Sequence, residues 1–302
     1  MIQLGTLVQP LIHLLRERLL EYDYMGMDET RIQVLKEPDR IAASQSCIWV
    51  QRGGPPGQSV ILFHYTTSKA ARVAEPLLEA YAGFVQVDGN STYETLAKAH
   101  PEIRLVGCMA HARRKFFEAN QAQGKKGRTG RAQKGLSLTQ KLYGIERAIK
   151  DKPAEEKQSI REERAAPLLE NLHAWAMKSI DEVPPSSLTG KALHYLLEQW
   201  PKLIRYLEDG RLSIDNNATE RAIRPFVIGR RNWLFADTQR GASASANLYS
   251  LIETAKASNI EPYLYQRHIF KELPTAHSVA QLEAMLPFNL DGATLAMNPA
   301  LV

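Results

Sequence analysis

The side-chain periodicity of this chain changes abruptly along its length, and that change restricts its possible folds more than any other feature. Segments 24–35, 47–52 and 59–65 are short, rich in Val, Ile, Phe, Tyr and Trp, and parted by turn-formers such as Arg52-Gly53-Gly54-Pro55-Pro56-Gly57. They predict three strands in an antiparallel meander. A helix is expected over about 69–81, with Val73, Leu77 and Leu78 turned inward. Gly83 to Gly89 then reads as a strand ending at an acidic turn, Ser91 to Ala99 as a helix, and Arg104 to Met109 as a fifth strand. After Phe117 the period becomes helical throughout. Leu168, Leu169, Leu172, Trp175 and Ala176 form one apolar stripe. Leu193, Leu196, Leu197, Trp200, Leu203, Ile204 and Leu207 form another, with the spacing of helices that bury one face in a helix–helix core.

Three strands followed by alternating helix and strand is the order of a ribonuclease-H-like α/β core. The expected organisation is an N-terminal amphipathic helix over 1–22, a first part of the core over 23–119 and an all-helical insertion over 120–211. A second part of the core would follow over 212–260, then a C-terminal helix and tail over 261–302. Within the insertion, Gly124 to Gly135 is a basic, glycine-containing stretch, and Pro184-Pro185-Ser186-Ser187 divides two helical halves. In the second core part, Asp215–Ile223 and Ala246–Ser258 are expected to be helical, with Trp233–Ala236 irregular or strand. The fold class is thus expected to be α/β, a ribonuclease-H-like mixed sheet interrupted by helices, with helical segments at both ends.

Composition narrows the partners. The 302 residues carry 38 basic and 33 acidic side chains, a formal charge of +5 that is itself weak support for a nucleic-acid partner. The distribution is more telling. Between His111 and Lys134 stand Arg113, Arg114, Lys115, Lys125, Lys126, Arg128, Arg131 and Lys134, opposed only by Glu118. Charge that dense either binds a polyanion or marks a solvated loop. Cys47 and Cys108 give no disulfide framework and rule out a four-cysteine zinc site within the chain, as expected in a reducing compartment. No window approaches the ~20 uninterrupted apolar residues of a membrane span. The leucines at 11, 14, 15 and 19 are interrupted by Arg16, Glu17 and Arg18, the pattern of an amphipathic helix and not of a signal peptide. The expectation is a soluble cytoplasmic protein with no membrane partner.

Phosphodiester cleavage requires an activated oxygen nucleophile and a neutralised leaving oxygen, and two hard cations about 4 Å apart, held by carboxylates, supply both. Such carboxylates belong on core strands and at strand ends. Asp28 lies early in the first strand-like segment, with Ile32 and Val34 at even offsets on its side. Asp88 ends an apolar strand-like segment, where an isolated aspartate is more often a turn residue. Glu220 follows a capping sequence in which Asp215 or Asn216 suits the N-cap, so Asp215, a competing ligand, is explained without chemistry. Helical spacing sets Asn217, Glu220, Arg221 and Arg224 on adjoining parts of one face. A metal ligand beside phosphate contacts and a plain i,i+4 ion pair from Glu220 to Arg224 both fit. Cys108 and His111 form a C-x-x-H pair with two ligands against the four of structural zinc, so zinc is not expected. They read either as a buried cysteine and a capping histidine, or as His111 reaching a phosphate with Arg113, Arg114 and Lys115 on the flanking backbone. Arg230, Arg231 and Trp233 fit a base-stacking or phosphate-gripping cluster, or a structural tryptophan among surface arginines.

Taken in order, Met27-Asp28-Glu29-Thr30, Gln86-Val87-Asp88-Gly89, Cys108 through Phe116, Ile214 through Pro225, Gly229 through Phe235 and Tyr249 through Lys256 resemble the insertion sequence 66 family of transposases. The resemblance spans roughly residues 20–280. It implies a DDE transposase whose catalytic positions are Asp28, Asp88 and Glu220, binding two Mg²⁺ ions for which Mn²⁺ can substitute. It also implies hydrolysis at a transposon end, then in-line attack of the freed 3′-hydroxyl on target DNA without a covalent protein intermediate. His111, Arg113, Arg114, Lys115, Asn217, Arg221, Arg224, Arg230, Arg231 and Trp233 are the expected DNA contacts. The expected partners are DNA, further copies of the chain assembled on it at the nucleoid, and accessory proteins of the same element. Complete family members carry a coiled coil, a cysteine-containing zinc-binding segment and a helix-turn-helix-like region ahead of the first aspartate. Only 27 residues precede Asp28 here, so most of the end-recognition apparatus is expected to be missing. Two other readings compete: a non-catalytic remnant that binds DNA or a partner protein, and a stand-alone nuclease of the same fold.

Overall fold

Alternation of side chains across a pleated strand explains the centre of the molecule. In the computed structural model, residues 1–122, 124, 130–292 and 295 are described; Lys125, Lys126 and Arg128 of the basic stretch and the last residues of the tail lie outside them. Strands β1 (Tyr24–Lys36), β2 (Gln45–Gly53) and β3 (Val60–Thr66) form the expected antiparallel meander, with Asp28 opposite Val50 and Val50 opposite Phe63. With β4 (Gly83–Gln86) and β5 (Ile103–Val106) the sheet order is β3-β2-β1-β4-β5. A sixth strand, β6 (Phe235–Thr238), pairs in parallel with β1 through Gln33, Val34 and Lys36, which makes the sheet mixed. This is the expected ribonuclease-H-like class, interrupted by helices and flanked by helical termini.

The chain divides into two compact units. The first comprises residues 1–85, 92–104 and 218 onward. Its N-terminal helices are α1 (Ile2–Leu7) and α2 (Gln9–Leu20), so the helical segment expected over 1–22 is broken at Val8. Pro10 in the first turn of α2 lacks the N–H that would continue the ladder back into α1. The helix expected over 69–81 is also shortened. Only α3 (Ala71–Ala74) and a 3₁₀ turn at Glu75–Leu77 form, because Pro76 occupies the middle of the segment and Ala80 takes a left-handed backbone with φ of 64°. Helix α4 (Ser91–Ala99) connects β4 to β5 as expected.

Ile32 and Val34 of β1, Ile48 and Val50 of β2, and Ile61 and Phe63 of β3 share one apolar face of the sheet. Ala222, Ile223 and Phe226 from α10 (Asn217–Trp233) and Ala242 and Ala246 from α11 (Gln239–Ala257) cover it. Phe63 stacks on Phe226 at 6.0 Å. Helix α11 also serves the outer edge of β3. Ser250 and Thr254, both fully buried, accept the Phe63 and Ile61 N–H groups at 2.8 and 3.0 Å, and the Thr254 hydroxyl donates to the Ile61 carbonyl. The C-terminal region forms α12 (Pro262–Glu272) and, beyond it, α13 (Val279–Ala284), the latter with a capping box on Ser278.

The second unit comprises residues 86–91 and 105–217 and is built from α5 (Met109–Ala122), α6 (Arg131–Ala148), α7 (Ala154–Ile160), α8 (Ala166–Ile180) and α9 (Leu188–Leu203). The two leucine stripes do what their spacing predicts. Leu169, Leu172 and Ala176 of α8 and Leu193, Leu196 and Leu203 of α9 are buried. Ser187 caps α9 after the double proline, accepting the Gly190 N–H at 3.0 Å. No helix among the described residues is long and apolar enough to cross a membrane.

Arg161, in a π-type turn between α7 and α8, is 2% exposed. Its guanidinium pairs with Glu146 of α6 through contacts of 3.0 and 2.7 Å and donates to the Tyr206 and Asp209 carbonyls. Removing one member of such a pair strands the other charge out of water. Arg161→Ala is therefore expected to cost about 3–5 kcal/mol of stability, read by urea unfolding; a loss under about 1 kcal/mol would show that the pair is solvated. A second expectation concerns acid. The His64 ring nitrogen Nε2 on β3 is sealed from solvent with no hydrogen-bond partner, and burial, aided by Arg16, lowers its pKa from 6.5 to about 4. Between those values the unfolded chain binds a proton that the folded chain refuses, so stability falls as pH drops from about 6.5 to about 4. The slope from this group approaches about 1.4 kcal/mol per pH unit and should vanish in His64→Gln.

Candidate functional site

In the first unit, the strand alternation that buries Ile32 and Val34 sets Asp28 and Thr30 on the same face of the sheet, half-buried. The Asp28 Oδ1 accepts the Glu29 N–H at 2.8 Å. Glu29 faces the opposite way. Its carboxylate pairs with Lys69 and accepts the hydroxyl of Tyr93, whose ring sits edge-on to Trp49 at 5.9 Å. These contacts fix the backbone next to Asp28. Burial, with Glu29 and Asp28 adding, pushes the Cys47 thiol up to about 12, so it stays protonated and inert.

Glu220 lies half-buried in the first turn of α10, the helix that packs on the face from which Asp28 projects. Arg221, Arg224 and Arg231 are exposed along the same helix, and Arg230 donates to the Thr30 hydroxyl at 3.0 Å. The helix is much longer than the expected 215–223 and runs through Pro225. Trp233 at its end packs edge-on against Phe226 at 5.4 Å and borders an apolar cavity of about 770 Å³ that also touches Ile32, Phe235 and Tyr249. None of the three acidic residues lines that cavity.

In the second unit, Asp88 follows β4 and closes a turn by accepting the Asn90 N–H at 2.9 Å. The buried Gln86 amide donates to the Ser213 carbonyl at 2.7 Å and to the Gly107 carbonyl at 3.3 Å. Met109 N–H donates to the Ile214 carbonyl at 3.0 Å, and Asn216 N–H donates to the buried Cys108 Sγ at 3.2 Å. Three stretches distant in sequence are thereby stitched together. Asp215 behaves as a turn-capping residue: its carboxylate accepts the Asn217 backbone and side-chain N–H groups at 3.2 and 2.7 Å, and the Tyr143 hydroxyl at 3.0 Å. His111 stands in the first turn of α5, half-buried. Arg113 donates to Gln140 at 3.2 Å and lies over the Tyr143 ring, Arg114 is exposed, and Lys115 lies 4.7 Å from the centre of the Tyr195 ring. Asp28 and Glu220 thus belong to the first unit, and Asp88 with His111, Arg113, Arg114, Lys115 and Asn217 to the second. Sequence reasoning passed over Gln86 and Tyr195 as contributors. Tyr195 sits inside a leucine-rich helix where only its contacts distinguish it.

A mixed sheet of this order, with an acidic residue on its first strand and another on the helix packed over it, occurs here in a chain that belongs to the IS66 family of transposases. The model described as "Transposase IS66 family" matches residues 1–244, and the IS66 C-terminal element matches residues 250–288. Among relatives, the chain is 32% identical over 273 residues to the uncharacterized protein y4jD of Sinorhizobium fredii, covering 87% of this chain and 52% of that one. It is 29% identical over 306 residues to the uncharacterized protein y4hP of the same organism, covering 96% and 54%. The chain therefore spans about half the length of the curated relatives it matches.

The capping role of Asp215 generates a measurable expectation. Asp215→Ala should cost about 1–3 kcal/mol, the worth of the hydrogen bonds its carboxylate accepts just ahead of α10, in urea unfolding. An effect within ±0.2 kcal/mol would mean that the Asn217 contacts contribute nothing at this helix start.

Proposed function

We propose that the chain is a metal-dependent DNA strand-transfer enzyme in which Asp28, Asp88 and Glu220 hold two Mg²⁺ ions, with Mn²⁺ able to substitute. The observation that carries the reading is the packing of α10, bearing Glu220, on the face of β1 that bears Asp28, in a member of a transposase family. The donor set fits hard divalent cations: three half-buried carboxylates offer oxygen ligands, whereas the Cys108 sulfur is a soft donor already accepting a backbone N–H. When bound, such ions supply a nucleophilic oxygen near neutral pH and neutralise the leaving oxygen.

The remaining residues of the reading bind and orient DNA. Arg221, Arg224 and Arg231 on α10, with Arg114 and Lys115 on α5, offer cations to backbone phosphates. His111, Arg113 and Asn217 contribute shorter contacts, while Arg230 and Trp233 meet the strand near the end of α10. The reaction is taken as two in-line displacements at phosphorus. In the first, water adds and the P–O bond to the 3′-oxygen at the transposon end breaks. In the second, that 3′-hydroxyl forms a new P–O bond in target DNA and displaces a target 3′-oxygen, so no phosphorus is ever bonded to the protein. Segments 23–119 and 212–260 are taken as the catalytic core and 120–211 as its helical insertion. Assembly of several copies on DNA at the nucleoid, with accessory proteins of the same element, belongs to the same reading.

Purified chain incubated with end-bearing DNA should nick and join it only with Mg²⁺ or Mn²⁺. Asp88→Ala should reduce both steps by more than the ~10–100-fold typical of a ligand's supporting residue, while leaving DNA affinity largely intact. DNA binding with no cleavage in any divalent metal would favour the non-catalytic remnant, and cutting without joining the stand-alone nuclease. Absence of both metal and DNA binding at low salt would sink the reading.

A further inference from the structure

Within the second unit, one aromatic side chain meets both the Asp88 turn and a cation of α5. Tyr195 projects from α9 between the buried Leu193 and Leu196. Its ring and hydroxyl lie against Gly89: a Cβ built there would fall 2.7 Å from the Tyr195 Cε2 and Oη atoms. Such a distance is far inside van der Waals contact, so a side chain at 89 would have to push the end of the Tyr195 ring aside. The phenol oxygen thus stands against the Gly89 backbone, on the approach to its N–H. On the ring itself, Lys115 places its ammonium 4.7 Å from the centroid, within cation–π range. Burial first, then the nearby Cys108 and Asp88, raises the phenol above its ordinary range, so the ring stays neutral and keeps the electron-rich face that attracts Lys115.

We propose that Tyr195 is a positioning residue: its hydroxyl clamps the Asp88–Gly89 turn, and its ring face seats the Lys115 ammonium for a DNA phosphate. The proposal rests on the reading of Asp88 as a metal ligand and extends it to a residue that touches neither metal nor DNA. Two parts of one side chain do separable work. The oxygen fixes the direction of the carboxylate by holding the backbone that follows it. The ring restricts a long, flexible lysine, which lowers the entropy lost when Lys115 meets a phosphate. The geometry also accounts for Gly89, since any larger residue there displaces the ring and with it both functions.

Two variants of the full chain separate these parts. Tyr195→Phe deletes the oxygen and keeps the ring. It should speed hydrogen exchange at the Gly89 amide and weaken Mn²⁺ binding, titrated without DNA, about 10-fold, the effect of losing a ligand's supporting hydrogen bond. Its thermal midpoint and the salt dependence of DNA binding should match the parent's. Tyr195→Leu removes the ring as well, and should lower the log–log salt slope of DNA binding by about 1, as expected when one lysine–phosphate contact is lost. Parent-like Gly89 exchange and Mn²⁺ affinity in folded Tyr195→Phe overturn the clamp. A parent-like salt slope in Tyr195→Leu overturns the seat. Asp88→Asn is the control: if it binds Mn²⁺ like the parent, the metal reading of Asp88 itself fails, and Gly89 exchange in Tyr195→Phe still decides whether the clamp exists.

Discussion

The apolar face shared by β1, β2 and β3 leaves water only when α10 and α11 lie on it, and the rest of the first unit follows from that demand. Six aliphatic and aromatic side chains of the strands meet Ala222, Ile223 and Phe226 on one helix and two alanines on the other. Each large side chain buried is worth about 1.5–3 kcal/mol. Small residues on α11 allow it to approach the sheet closely. Phe226 fills the remaining volume, touching Phe63, Tyr249 and Trp233. The direction of α10 is thereby set by packing, and polar residues on its other faces inherit their positions. Arg230 reaches β1 at Thr30 for this reason.

How much of this was legible in the sequence differs from element to element. The meander was, because period-two runs parted by Gly-Pro turns have few other interpretations. The even offset of Asp28 from Ile32 and Val34 also placed it correctly on the face that α10 covers. Helix ends were read less well. Pro76 and the left-handed Ala80 end a helix that local apolar spacing would have continued. Pro225 does the reverse. It sits inside a helix of 17 residues because Ala222 and Ile223 before it and Phe226 after it are held against the sheet by contacts that outweigh the lost hydrogen bond. Contacts between remote segments left no local trace: neither the bonds from Gln86 to 107 and 213 nor the seat of Tyr195 on Gly89 could be read from spacing.

Charge in the chain is managed in two ways. Glu29 and Arg161 are withdrawn from water and paired, Glu29 with Lys69 and Tyr93, Arg161 with Glu146 and two carbonyls. Such groups fix geometry, and their value lies in where they hold the backbone more than in net stability. The exposed arginines of α10 make no comparable demand on the fold. Leaving them in water keeps their charge available to a polyanion. This separation explains why a modest net charge of +5 is compatible with a strongly cationic helix.

Ser250 and Thr254 do at the rim of β3 what another strand would otherwise do. Their hydroxyls stand one helical turn apart, close to the spacing of alternate amides along a strand, so α11 satisfies the Phe63 and Ile61 N–H groups with side chains. A sheet ended in this way offers no free template for another chain along that stretch of β3. Copies of the protein brought close together therefore do not join sheets there, and any ordered assembly they form must be made through other surfaces.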